Sequence, residues 1–384
     1  MDFTEPDERK LLRDAVRKAA AGFGHDYYAQ KARAGEKTTE LWQALADGGF
    51  VGVNLPEAFG GGGMGIGDLA AVAEELAALG SPLLFLVISS AICGEVLARC
   101  GSEEQKHTFL APIATGRRRM AFALTEPDAG SNSHNLSTTA VRDGEGFRLR
   151  GQKYYISGVD EAEQVLVVAR SGKDAKGRGR LSLFVVDTDA PGLRKTLIPC
   201  EIPSTEKQYT LFFDDVFVPK DRLVGPEGEA LRPLLLGGLN PERIMGAAMV
   251  LGTGRYALAK ACAYANARKV WSVPIGAHQG LAHPLAKAKI ELELARLMTE
   301  KAAWLYDDGQ DAGEAANMAK YAAAEAALAC LDQAIQVHGG NGFASEFGLM
   351  DLWGVTRLAR TAPVSREMIL NFVAEHSLGL PRSY

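Results

Sequence analysis

Hydrophobic residues in this 384-residue chain switch period twice. Before residue 119 they recur at three- and four-residue steps, as in Leu11, Leu12, Val16 and Ala19 or Leu41, Trp42 and Leu45, which gathers them on one side of a helix. Between 119 and 224 they come instead in short runs at 120–125, 147–157, 165–169, 181–186 and 209–213, rich in β-branched and aromatic residues. Asp143-Gly144, Ser171-Gly172 and Ala190-Pro191-Gly192 separate those runs as turns do. From 225 onward the helical period returns, alanine-rich, over 240–268, 281–307, 311–338 and 364–376. This pattern predicts an α+β protein. Residues 1–118 form an N-terminal helical domain, 119–224 a middle antiparallel β domain, and 225–384 a C-terminal four-helix-bundle domain.

Local chemistry sharpens the boundaries. Ser102 precedes Glu103-Glu104-Gln105 and suits a helix cap. Asn240-Pro241-Glu242-Arg243 reads as a helix start, with Asn240 as cap, Pro241 in the first position and Glu242 favoured by the helix dipole. Gly339-Gly340-Asn341-Gly342 ends a helix with residues that tolerate positive φ. The stretch 173–180 is a solvated hairpin turn.

Several function classes are disfavoured. Lys plus Arg number 42 against 47 Asp plus Glu, a net charge of −5, so no basic excess calls for nucleic acid or an anionic membrane. The most apolar stretch, 82–92, is too short to span a bilayer, and the N-terminus is charged from residue 2, unlike a signal peptide. Five cysteines without a C-x-x-C pair predict reduced thiols and a cytoplasmic protein. The histidines show no metal-site spacing, so no metal is expected, and no G-x-S-x-G is present. Gly60-x-Gly62-x-x-Gly65 matches a dinucleotide fingerprint formally, but no long strand precedes it, so a surface loop is the better reading.

Leu124-Thr125-Glu126-Pro127-Asp128-Ala129-Gly130-Ser131-Asn132 leaves a strand, turns at a proline and presents free backbone N–H groups, a nest able to hold a carbonyl or a phosphate. It resembles the L-T-E-P-x-A-G-S signature of the flavin-dependent acyl-CoA dehydrogenases. Six further segments resemble that family in order: Leu55-Pro56-Glu57-Ala58-Phe59-Gly60-Gly61, Gly101-Ser102-Glu103-Glu104-Gln105-Lys106, Gly151-Gln152-Lys153-Tyr154-Tyr155-Ile156-Ser157, Phe213-Asp214-Asp215-Val216-Phe217-Val218-Pro219, residues 268–279, and Gln336-Val337-His338-Gly339-Gly340-Asn341-Gly342.

The resemblance implies FAD held between the β domain and the C-terminal helices. Phe122, Leu124, Thr125, Gly130 and Ser131 would line the flavin and its pyrophosphate, with Ser131 also on the substrate side. Tyr155 would lie against the isoalloxazine ring, where the family usually has Trp or Phe, and Ser157 would donate to its N5/O4 edge. Arg268 and Gln279 would reach the FAD of a neighbouring subunit, and Gln336, Gly339 and Gly340 its adenosine-side phosphates. The implied assembly is a homotetramer, or a heterotetramer with a related subunit, passing electrons to an electron-transfer flavoprotein.

The implied reaction removes an α-proton from an acyl-CoA and passes the β-hydride to flavin N5, leaving a 2,3-enoyl-CoA. Most members carry the base as a Glu 23 residues after the second Gly of the G-G pair. Pro363 stands there, with Ala362 where a Tyr is common. Isovaleryl- and long-chain-type members carry the base instead as a Glu just before an Arg on the long C-terminal-domain helix, and Glu242-Arg243 match that pair. Glu242 is therefore the expected base, with Arg243, Ala362 and Pro363 on the substrate side. Ala362 predicts room for branched, cyclic or bulky acyl groups. Pro363 lacks the N–H that the family points at the thioester carbonyl, unless Val364 substitutes for it. The alternatives are a non-catalytic or half-catalytic subunit of a hetero-oligomeric dehydrogenase, and a flavin monooxygenase or reductase on the same fold.

Overall fold

The first periodic block becomes helices α1 (Asp7–Ala19), α2 (His25–Ala34), α3 (Thr39–Asp47) and α4 (Ile66–Ala78) in the computed structural model, which describes residues 4–175 and 177–383. Leu41, Trp42 and Leu45 are buried, as their spacing predicts, and so is Val16. Leu11 is exposed and drops out of the stripe expected on α1. Helix α4 is buried along nearly its whole length. Its first N–H groups are satisfied from far along the chain, because the Asp307 carboxylate accepts from Ile66 N at 2.7 Å and Gly67 N at 3.0 Å. A buried segment follows, wide-turned π-helix over Leu86–Gly94 and then α5 (Glu95–Cys100). Short α6 (Glu103–Gln105) is capped as expected. Ser102 Oγ accepts from Gln105 N at 3.2 Å, while Gln105 Oε1 accepts from Ser102 N at 3.0 Å. Helix α7 (Ala111–Ala114) closes the block.

The middle block is a single sheet of β1 (Met120–Ala123), β2 (Thr139–Asp143), β3 (Gly146–Ser157), β4 (Gln164–Lys173), β5 (Gly179–Asp187), β6 (Leu193–Ile198), β7 (Gln208–Pro219) and β8 (Leu223–Val224). Its order is β6-β7-β3-β2-β4-β5-β8, with β1 added on β4. The turn expected at 173–180 joins β4 to β5. The expectation of a wholly antiparallel sheet is corrected: β1 runs parallel to β4, Met120 opposite Gln164, and Thr139 of β2 pairs in parallel with Arg170. The entire β2–β3 hairpin lies between β1 and β4, a crossover long enough to permit parallel pairing.

In the third block, α8 (Leu231–Leu234) and a π-turn (Leu235–Leu239) run directly into α9 (Asn240–Ala267). This corrects the expected helix start. Asn240 sits inside a continuous helical segment, and its side chain accepts from Arg243 Nη2 at 3.1 Å instead of capping. The wide turn accommodates Pro241, which has no N–H to return to the preceding turn. A small hairpin of β9 (Lys269–Val270) and β10 (Val273–Pro274) leads to α10 (Gln279–Asp307) and α11 (Gly313–His338), with α12 (Met350–Leu358) and α13 (Arg366–Phe372) beyond. Helix α9 is the centre of this block, packed on α11, α10 and α4. Gly252 lets it approach α4, where an added Cβ would fall 2.2 Å from the Glu74 carbonyl oxygen. Gly339 ends α11 at φ 59°, as expected of that glycine run. Among the described residues no helix is long and apolar enough to cross a membrane.

Candidate active site

The loop after β1 is held by a buried charge pair. Lys153 on β3 is fully buried, and its Nζ donates to the Leu124 carbonyl at 2.8 Å and to Glu126 Oε1 at 2.9 Å. Glu126 also accepts from Ser137 N and Oγ, both at 2.6 Å, and from Thr138 N at 3.0 Å. Burial alone would push the Glu126 carboxyl up; Lys153 and these donors outweigh it and hold it at about 2. Burial pulls Lys153 down to about 8 against the attraction of Glu126. Tyr154 N donates to the Thr125 carbonyl at 2.9 Å. Leu124 and Thr125 are thus fixed beside β3, next to Phe122.

At that place β3 breaks register against β7, between Lys153 and Ile156. Tyr155 lies in the irregularity with φ 56°, a conformation rarely kept by a non-glycine residue, and its ring is exposed. Such a break turns a side chain out of the alternation of the strand. Two residues on, Ser157 Oγ donates to Gln208 Oε1 at 2.9 Å.

Gly130 and Ser131 are exposed, and a Cβ added to Gly130 would meet nothing within 4 Å. The same holds for Gly339 and Gly340 at the end of α11. Arg268 and Gln279 flank the β9–β10 hairpin, whose base is tied by Ile275 N donating to the Arg268 carbonyl at 2.9 Å. Tyr264, one turn before Arg268, stacks on His338 at 4.2 Å and accepts from Asn341 Nδ2 at 3.1 Å. These contacts bring the end of α9 to the Gly339–Gly340 turn. Arg268, Gln279, Gln336, Gly339 and Gly340 all lie exposed at the surface of this chain. Open glycine backbone beside an arginine is the donor set that a pyrophosphate takes, and an exposed aromatic face is what a flavin ring stacks on, so these residues fit FAD.

Glu242 is half-buried on α9. Burial raises its carboxyl to about 7, against the opposing pull of Arg243 and Lys320. The helix-dipole stabilisation expected for Glu242 does not arise, because helical turns precede Glu242 and no free N-terminus is present. Lys320 of α11, 2% exposed, donates its Nζ to the Val364 carbonyl and is drawn down to about 8 by burial. The turn carrying the exposed Ala362 and Pro363 is therefore tied to α11, the helix packed on α9. Arg243 is buried in the α9–α11 packing. Its Nε donates to the Leu239 carbonyl at 2.9 Å, Nη1 to Asn317 Oδ1 at 2.6 Å and Nη2 to Asn240 Oδ1. The Cys93 thiol is pushed well up, by burial first and then by the Glu242 carboxylate. Cys93 Sγ donates to the Met120 and Ala121 carbonyls, which joins its segment to β1, one residue short of Phe122.

Three family descriptions cover the chain: the acyl-CoA dehydrogenase N-terminal domain matches residues 6–117, the middle domain 121–216 and the C-terminal domain 233–378. The chain belongs to the acyl-CoA dehydrogenase family. It is 57% identical over 384 residues to acyl-CoA dehydrogenase FadE12 of Mycobacterium tuberculosis, covering 100% of this chain and 99% of that one. It is 31% identical over 357 residues to the caffeyl-CoA reductase-Etf complex subunit CarC of Acetobacterium woodii, covering 90% and 91%. The solved FAD complex of PigA superposes with a TM-score of 0.91 at 29% identity, over 99% of this chain and 100% of that one. Acyl-CoA dehydrogenases are flavin-dependent oxidoreductases, and the cofactor here is FAD.

Reading the sequence missed four members of this acyl-CoA dehydrogenase site. Glu126 and Lys153 lay inside quoted motifs, and an acid and a lysine of opposite charge within them were the available signal. Lys320, in the alanine-rich stretch of α11, and Gln208, opposite Ser157, gave none, because only packing brings them in.

Proposed function

We propose that this chain oxidises an acyl-CoA to the 2,3-enoyl-CoA, with Glu242 as the base that takes the α-proton, and that it prefers branched, cyclic or otherwise bulky acyl groups. The observation that carries this reading is the state of Glu242, a half-buried carboxylate raised to about 7, where a base is both ionised and basic enough at neutral pH. FAD, when bound, supplies the hydride acceptor. Tyr155 supports the ring, Ser157 donates to its edge, and Ser131, Arg243, Ala362 and Pro363 border the substrate. Val364, next in the turn, supplies the N–H that Pro363 lacks.

Helix α10 leaves Ile290, Leu294, Leu297 and Trp304 exposed at spacings of one helix face, which supports burial against further copies in a tetramer, homomeric or with a related subunit. The exposed Arg268 and Gln279 support service to a neighbour's FAD. A relative named as part of an Etf complex supports an electron-transfer flavoprotein as the electron acceptor.

Pro363 favours a second reading, a half-catalytic subunit that contributes an FAD surface to a partner. The chain purified alone, titrated anaerobically with straight, branched and cyclic acyl-CoAs, separates the two. Bound flavin that bleaches on addition of acyl-CoA supports the dehydrogenase; flavin-free protein without bleaching supports the subunit.

A further inference from the structure

Ser157 and Gln208 are cross-strand partners at the end of the β3–β7 ladder, beyond the break that turns Tyr155 outward. Gly158 N closes that end on the Lys207 carbonyl at 2.8 Å. Directly opposed residues send their side chains to one face, so the pairing is built into the register. The Ser157 hydroxyl has one proton, and here it goes to Gln208 Oε1 at 2.9 Å. A hydroxyl committed in this way cannot also donate to a flavin edge. The other end of the same carboxamide is nearly idle, since Gln208 Nε2 makes only a long 3.5 Å contact with the Glu206 carbonyl. A carboxamide offers an acceptor at one end and donors at the other. Turning it over gives up that long contact and presents an N–H to Ser157 Oγ.

We propose that Gln208 is the positioning residue for Ser157: it parks the hydroxyl proton in the free site and, by turning over, donates to Oγ when that proton is directed at FAD. This rests on the reading of Ser157 as a flavin donor. The exchange conserves hydrogen bonds. Oγ–H leaves Oε1 for the flavin edge, and Nε2–H replaces it on Oγ. A hydroxyl that accepts while it donates is a stronger donor, because successive hydrogen bonds polarise one another. The edge it faces gains electron density on reduction, so a stronger donor favours the reduced cofactor.

The test is the two-electron midpoint potential of the FAD-loaded protein, followed spectroelectrochemically in the wild type, Ser157→Ala, Gln208→Met, Gln208→Glu and the Ser157→Ala/Gln208→Met double variant. Methionine keeps the length of glutamine without its hydrogen bonds, and glutamate keeps the shape but, ionised, only accepts. Gln208→Met and Gln208→Glu are expected to disfavour reduction about tenfold, ~30 mV for a two-electron couple. The double variant should match Ser157→Ala alone. A shift in Ser157→Ala with wild-type potentials in both Gln208 variants overturns the role of Gln208 and leaves the Ser157 reading standing. Additive shifts in the double variant also overturn it, since Gln208 would then act independently. A wild-type potential in Ser157→Ala overturns the Ser157 reading, and the inference with it.

Discussion

Glu242 on α9 and Lys320 on the packed helix α11 act on one another's charge, and burial draws both toward neutrality, the carboxyl up to about 7 and the ammonium down to about 8. Lys320 also donates to the Val364 carbonyl, so one side chain holds the turn where one branch carries its base and acts electrostatically on the residue matching the other branch's base.

Replacing Glu242 with Gln should leave FAD bound and slow anaerobic flavin reduction by acyl-CoA by roughly 10²–10⁴-fold, the usual worth of a positioned base. Stopped-flow bleaching measures this, and a wild-type rate would remove Glu242 from the mechanism. The same variant should gain stability in alkali. The folded value of about 7 lies above the reference value of 4.5. Between those values the native state holds the extra proton, so wild-type stability falls as pH rises through that window. Denaturant midpoints at pH 5 and pH 8 should therefore diverge between wild type and Glu242→Gln.

The proposed base, Glu242, works only when ionised. The reduction rate should accordingly climb as pH rises through about 7 and level off above it. Lys320→Met removes a cation that favours the ionised form and should move this limb upward by roughly half to one pH unit. A pH profile identical to wild type would mean that Lys320 does not act on Glu242.

Breaking the buried pair that holds the 124–126 loop should be costly. Lys153→Met leaves Glu126 buried without its cation, a loss of about 3 kcal/mol or more. Leu124 also loses its anchor, so FAD affinity should fall with stability. Lys153→Met combined with Glu126→Gln should recover part of both, read by denaturation and flavin titration.

Leu294→Glu places a charge in the exposed apolar stripe of α10. Sedimentation should show the proposed tetramer reduced to a smaller species with its helix content intact. An unchanged assembly would place the subunit contact elsewhere.

Ala362→Tyr restores ring volume beside the turn at Pro363. It should shift kcat/KM toward butyryl-CoA and away from branched and cyclic acyl-CoAs by about 10–200-fold, the range one hydrophobic contact supplies. Butyryl-CoA as the best substrate of the wild type would end the wide-pocket reading.

The α–β–α order was legible in the chain because hydrophobic period is a local property, set by which neighbours share a helix face or strand face. The Ser102 cap, the 173–180 hairpin and the Gly339 helix stop were legible for the same reason: each needs only residues close in sequence. The segments around Thr125, Tyr155 and Gly339 could also be identified locally, and so could the Glu242-Arg243 pair. What remained hidden depended on distant partners. Asn240 looked like a cap until the turns of 231–239 were seen to continue into α9. β1 looked antiparallel until β4 arrived beside it in parallel. The near-neutral carboxyl of Glu242 comes from packing that excludes water and sets Lys320 and Cys93 around it, and no local pattern encodes burial of that kind. Gln208 opposes Ser157 only because the β3–β7 register, shifted by the break at Tyr155, puts it there. Period and motif thus determined the architecture and the family, while long-range packing decided the charge states and hydrogen bonds, because desolvation and cross-strand register arise only once the chain has closed on itself.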